Sequence, residues 1–95
     1  MSLIKINEAE VRSTDGYNVS YGRDRLIYRE PDRYVDVPIE HLGDPYELAV
    51  YGDLVDQWWV RGKPSARLNS IEKNIVLTRV EEALSFLGRN FSIKR

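Results

Sequence analysis

The residues of this chain that could do chemistry are few and poorly spaced for it. His41 is the one histidine among 95 residues, and its neighbour Glu40 points to the opposite face if the segment is extended, which makes a poor general acid/base pair. A surface or hydrogen-bonded histidine is the expectation. With no cysteine there is no thiolate nucleophile, no disulfide framework and no thiolate metal site. One histidine and scattered carboxylates do not make a zinc site, and the spacing from Asp53 to Asp56 is too sparse for a calcium loop. Phosphate-loop, dinucleotide-glycine and nucleophile-elbow patterns are all missing from the sequence. The chain is therefore expected not to be an enzyme and to need no cofactor and no metal.

What the sequence does concentrate is recognition chemistry. Residues 40–59, EHLGDPYELAVYGDLVDQWW, hold Glu40, Asp44, Glu47, Asp53 and Asp56 with no Lys or Arg, together with Tyr46, Tyr51, Trp58 and Trp59. Large aromatics beside carboxylates suit a contact surface better than a reaction centre. The whole chain carries a net charge of −1, yet residues 1–39 contribute −1, residues 40–59 contribute −5 and residues 60–95 contribute +5. Such polarity can steer a charged partner. Tyr21, Arg23, Arg25, Tyr28, Arg29, Arg33 and Tyr34 also interleave basic and aromatic residues, as single-stranded nucleic-acid binders do. Asp24, Glu30 and Asp32 offset most of that charge and the pI is near 5.8, so a solvated hairpin with cross-strand ion pairs is the favoured reading and nucleic acid an unlikely partner.

These residues must be positioned by a small scaffold. The length fits one domain over 1–95 with a single modest core, and 42% hydrophobic content with 31% charge is ordinary for a globular chain. No apolar run approaches the ~18 residues of a membrane span, and MSLIKINEAEV lacks the basic start and apolar stretch of a signal peptide. A cytoplasmic protein without membrane contact is expected, in which Asn18-Val19-Ser20 and Asn90-Phe91-Ser92 match the glycosylation pattern by chance.

Leu3 to Ile6 and Ala9 to Ser13 are candidate opening strands. Thr14-Asp15-Gly16 is a turn, after which Tyr17, Val19 and Tyr21 alternate inward. Gly22 to Arg25 turns again, Leu26 to Arg29 is a strand, and Glu30-Pro31-Asp32-Arg33 breaks it. Val35, Val37 and Ile39 share one face of the next strand, which Pro38 demotes to an edge or terminates. Gly43-Asp44-Pro45 turns into a strand over Tyr46 to Tyr51 with Leu48 and Val50 inward. Residues 61–69, polar and broken by Gly and Pro, read as a connecting loop. The main helix is placed at 70–87, with Asn69 and Glu72 as a capping box and Gly88 as the left-handed stop. Val76, Val80, Ala83, Leu84 and Leu87 form its apolar stripe with Leu77 at the margin. Ile71, Ile75 and Phe86 lie off that stripe and call for a second contact, with the loop before the helix or with a second copy of the chain. Phe91 to Ile93 is a short final strand. The fold class is α+β, an antiparallel meander of about five to six strands packed on one C-terminal helix.

The meander, the strand Tyr46-Glu47-Leu48-Ala49-Val50-Tyr51, a Trp (Trp58 or Trp59) followed by Pro64, and the ending Glu82-Ala83-Leu84-Ser85-Phe86-Leu87-Gly88 before Phe91 to Ile93 together resemble the small α+β immunity proteins of bacterial polymorphic toxin systems. The resemblance covers residues 14–93. It implies a protein without catalysis that binds and blocks a cognate toxin domain, often a nuclease. On that reading Glu47, Asp53 and Asp56 supply charge, and Tyr51 with Trp58 or Trp59 supplies the anchors. Since two adjacent Trp cannot both point inward from a strand, one belongs to the core. The competing expectations are a regulatory or structural homodimer and a single-stranded nucleic-acid binder.

Overall fold

The computed structural model describes residues 2–43 and 47–95. The turn predicted at Gly43-Asp44-Pro45 and the aromatic Tyr46 lie outside the described residues. Six strands follow one another as an antiparallel meander: β1 (Leu3–Asn7), β2 (Glu10–Ser13), β3 (Asn18–Tyr21), β4 (Arg25–Arg29), β5 (Tyr34–His41) and β6 (Leu48–Tyr51). A 3₁₀ turn (Gly52–Leu54) leads to the hairpin β7 (Gln57–Val60) and β8 (Lys63–Arg67), then helix α1 (Ser70–Phe86) and β9 (Phe91–Lys94).

The alternation in the sequence determines the layers. Val11, Val19, Leu26, Tyr28, Val35, Val37, Ile39, Leu48 and Val50 are buried on the inner face of the sheet, against the stripe Val76, Leu77, Val80, Ala83 and Leu84 of α1. The helix begins with both halves of the capping box between Asn69 and Glu72 in place. It ends on a Schellman pair, Gly88 N–H to Ser85 O and Arg89 N–H to Leu84 O, with Gly88 at φ 75°. It is too short to cross a membrane, and no other helix among the described residues is long and apolar enough to do so.

Two local expectations are corrected, and the final strand gains a direction. Residues 61–69 are not a connecting loop throughout: Arg61 (φ 52°) and Gly62 (φ 78°) make a two-residue hairpin turn, and Lys63–Arg67 forms β8. All five β8 residues are exposed, so this strand, paired among the described residues with β7 alone, has no apolar alternation to reveal it. Pro38 neither ends β5 nor makes it an edge, for it pairs with Arg25 inside a strand flanked on both sides. The Ile39 N–H points to β4, bonding Asp24 O at 3.1 Å, so the missing Pro38 donor faces the other edge. There β5 changes partner, from β7 at Tyr34 to β6 from Ile39 onward, and no pairing is lost. The final strand β9 runs parallel to β6, because a helix intervenes as the crossover.

Candidate protein-docking surface

Trp58 and Trp59 divide the molecule, since consecutive strand residues face opposite ways. Trp58 is 2% exposed and enters the gap between sheet and helix beside Tyr28, with centroids 6.3 Å apart. Polar groups around it are linked pairwise. Tyr28 Oη donates to Glu30 Oε2 at 2.7 Å and accepts from Arg79 Nη1 at 2.8 Å. Arg33 Nε donates to Glu30 Oε1 at 2.9 Å, and the Arg33 guanidinium lies 3.6 Å from the Trp58 ring centroid. Glu72, while capping α1, accepts from Trp58 Nε1 at 3.3 Å and from Arg33 Nη1 at 3.5 Å.

Two Glu balance two Arg here. Burial pushes the Tyr28 hydroxyl up to about 12, reinforced by its bond to Glu30. Burial alone would raise the Glu30 carboxyl too, but hydrogen bonds from Tyr28 and Arg33 and the nearby guanidinium charges hold it below its ordinary value. A phenol that keeps its proton and a carboxylate saturated with donors are unsuited to proton transfer near neutrality. This cluster tethers the β4–β5 turn to the helix.

Trp59 lies on the other side of the sheet. Residues directly opposite across antiparallel pairs share a face, and the registers Arg12↔Asn18, Asn18↔Arg29, Arg29↔Tyr34, Tyr34↔Trp59 and Trp59↔Pro64 line up one row across six strands, about 25 Å long. Tyr34 and Trp59 are half-buried, Arg12 and Arg29 exposed, and Arg29 lies over the Tyr34 ring at 5.7 Å. Beside the row an open cleft of ≈ 480 Å³ lies between the Glu30–Arg33 turn and the β7–β8 turn, with Tyr34 and Arg61 on its walls.

The remaining predicted site residues are distributed unevenly. Tyr51 projects from β6 onto the same outer face as Glu40, to whose Oε1 its hydroxyl donates at 2.9 Å. That bond and the Glu40 charge raise the Tyr51 hydroxyl above its ordinary value, with Asp53 adding to the effect. Lys94 Nζ sits 5.6 Å from the Tyr51 ring centroid. Asp53 and Asp56 are exposed and in no ion pair among the described residues. The Tyr51 end lies about 20 Å from the Trp59 end along β5.

One predicted contact residue is reassigned and a second is found in an ion pair. Trp58 is core, so it cannot serve as a surface anchor. Glu47, with its side chain 44% exposed, is ion-paired within the chain, its Oε2 accepting from Arg89 Nη1 at 3.1 Å. The basic and aromatic set also splits: Tyr28 is buried, Arg33 is bound to Glu30 and Glu72, and Tyr21 packs against the core. His41 bonds the Gly22 carbonyl through Nε2 at 2.9 Å, the hydrogen-bonded role expected of it. The row from Arg12 to Pro64 was not legible as a unit, because strand register is needed to align residues up to 52 positions apart. Its only sequence signal was the outward parity of Arg29 and Tyr34. No family model matches the chain, and no curated protein or solved structure matches it either.

Proposed function

We propose that the protein is a non-catalytic inhibitor of the immunity type, which binds a cognate bacterial toxin domain through the outer face of its sheet and blocks it. The observation that carries this reading is the pair of half-buried aromatics, Trp59 and Tyr51, on the sheet face that α1 does not cover. Antiparallel sheets commonly face water on one side, but Trp and Tyr there are the residue types that dominate binding energy once desolvated. Glu40 and Asp53 near Tyr51 give this end of the face an acidic character, which suits the basic substrate cleft of a nuclease toxin and would raise the association rate at low salt. A cytoplasmic location goes with the reading, since the inhibitor must meet the toxin where it acts.

The test is growth rescue. Co-expression with the C-terminal domain of a toxin encoded beside this protein should restore growth, and purified complexes should keep both chains together. Absence of rescue and of a complex with that domain would refute the proposal. A second reading is favoured by Ile71, which is 71% exposed at the start of α1, with Ile75 and Phe86 exposed further along the helix. These suit a homodimer interface. Sedimentation at several concentrations separates the two readings: the inhibitor is expected to be a monomer, whereas a stable dimer lost on Ile71→Asp would favour a structural or regulatory module.

A further inference from the structure

The arginines of this protein fall into two groups. Arg25, Arg33, Arg79, Arg89 and Arg95 each have a carboxylate oxygen within 4 Å. Arg12, Arg23, Arg29, Arg61 and Arg67 have none among the described residues, and three of these, Arg12, Arg29 and Arg61, border two contiguous clefts that share Arg29, Glu30 and Pro31. Arg29 and Arg61 line one cleft with Tyr34, whose cross-strand neighbour is the half-buried Trp59, so the surface is cationic and aromatic at once. Arg61 adds an independent sign. It holds φ 52° at the first position of the β7–β8 turn, a conformation that costs a non-glycine residue about 1 kcal/mol and that Asn or Gly would fill with less strain. Turn geometry therefore gives no reason for arginine there; its charge over the cleft does.

We propose that this groove receives an acidic segment of the partner protein, with carboxylates against Arg29 and Arg61 and apolar side chains against Tyr34 and Trp59. The proposal deepens the docking reading and rests on it for the nature of the partner. Arginine forks match carboxylates in paired hydrogen bonds, and most of the nearby anions are engaged elsewhere. Glu30 is taken by Arg33 and Arg79, Glu10 bonds Asn18, and Asp36 pairs with Arg25. Asp32, on the cleft wall, is in no ion pair among the described residues and offsets one of the two arginine charges there. An acidic protein segment fits better than a nucleic acid, because Arg29 covers the Tyr34 ring that a base would need for stacking. The whole chain is also net negative, unlike a typical phosphate-binding domain. The partner would then meet opposite charges at the two ends of one face, basic at Trp59 and acidic at Tyr51, which fixes orientation as well as affinity.

The test is an NMR titration of the whole protein with three probes: a short acidic peptide of Glu, Leu and Tyr, its counterpart with Gln for Glu, and an oligothymidylate. The acidic peptide should move the Trp59 indole N–H resonance and the amides of Arg29 and Arg61, while the Trp58 indole stays still. The Gln peptide should bind at least about tenfold more weakly, and Arg29→Glu/Arg61→Glu should lose acidic-peptide binding by a similar factor while its melting temperature is retained. The proposal is overturned if the acidic peptide leaves these resonances unmoved, if its shifts map to the Tyr51 end, or if the oligothymidylate binds the groove more tightly. Toxin neutralisation that survives undiminished in Arg29→Glu/Arg61→Glu removes this inference alone. Groove binding without toxin rescue removes the docking partner instead.

Discussion

Trp58 and Trp59 are the same residue type one position apart, and they occupy opposite circumstances. Around Trp58 the charges of Glu30, Arg33, Glu72 and Arg79 are satisfied within the chain; around Trp59 the arginines have no carboxylate partner among the described residues. The difference teaches that residue type does not locate a functional surface in a protein this small. Partner availability does. Where aromatic and ionic groups interlock with the helix, they hold the fold together. Where the same kinds of group face water without partners, their recognition capacity is unspent.

The contrast can be broken first at the core. Trp58→Ala should destabilise the protein by about 3–5 kcal/mol, the loss for a large aromatic removed from a packed site, with urea unfolding as the measurement. A mild loss would mean that Trp58 is not the plug between sheet and helix. Next is the alkaline limb of stability. Tyr28 is raised in the folded state from 10.0 to about 12, so its contribution is complete below pH 10 and is lost as pH rises through about 12, a change of about 3 kcal/mol. Unfolding midpoints against pH should show this limb, and Tyr28→Phe should flatten it. On the acid side Glu30, depressed in the folded state from 4.5, contributes stability above its unfolded value, lost as pH falls through the folded one.

Glu30→Ala removes the acceptor of Tyr28 and Arg33 and the ion-pair partner of Arg79, and should cost about 2 kcal/mol in the same urea assay, less than a fully buried pair because the site is partly open. The smallest effect on stability belongs to Trp59→Ala, within about 0.5–1 kcal/mol of wild type. If Trp59 proves as costly to remove as Trp58, the division of the sheet into a structural and a recognition face fails.

Much of this scaffold was legible because alternation and capping are local. Val35, Val37 and Ile39 announced the inner face of β5, and Asn69 with Glu72 announced the start of α1. What escaped was set by distant parts of the chain. β8 looked like a loop because an exposed edge strand needs no apolar period. Pro38 looked like a terminator because nothing in the sequence shows that β5 exchanges one neighbour for another beside it. The candidate site was legible in part for the same reason. Tyr51, Asp53, Asp56 and Trp59 are accessible as expected, whereas Glu47 is claimed by Arg89, 42 positions away. Which of two adjacent tryptophans turns inward depends on the parity of β7 against the helix.

The most direct measurement is amide chemical-shift mapping of the protein in complex with the proposed partner, the toxin domain encoded beside it. The account predicts that the perturbed residues run along the outer face, from Arg29, Tyr34, Trp59 and Arg61 to Glu40 and Tyr51, while exposed Ile71, Ile75 and Phe86 on α1 stay unperturbed. A footprint centred on those helix residues, with the outer face unchanged, would contradict it.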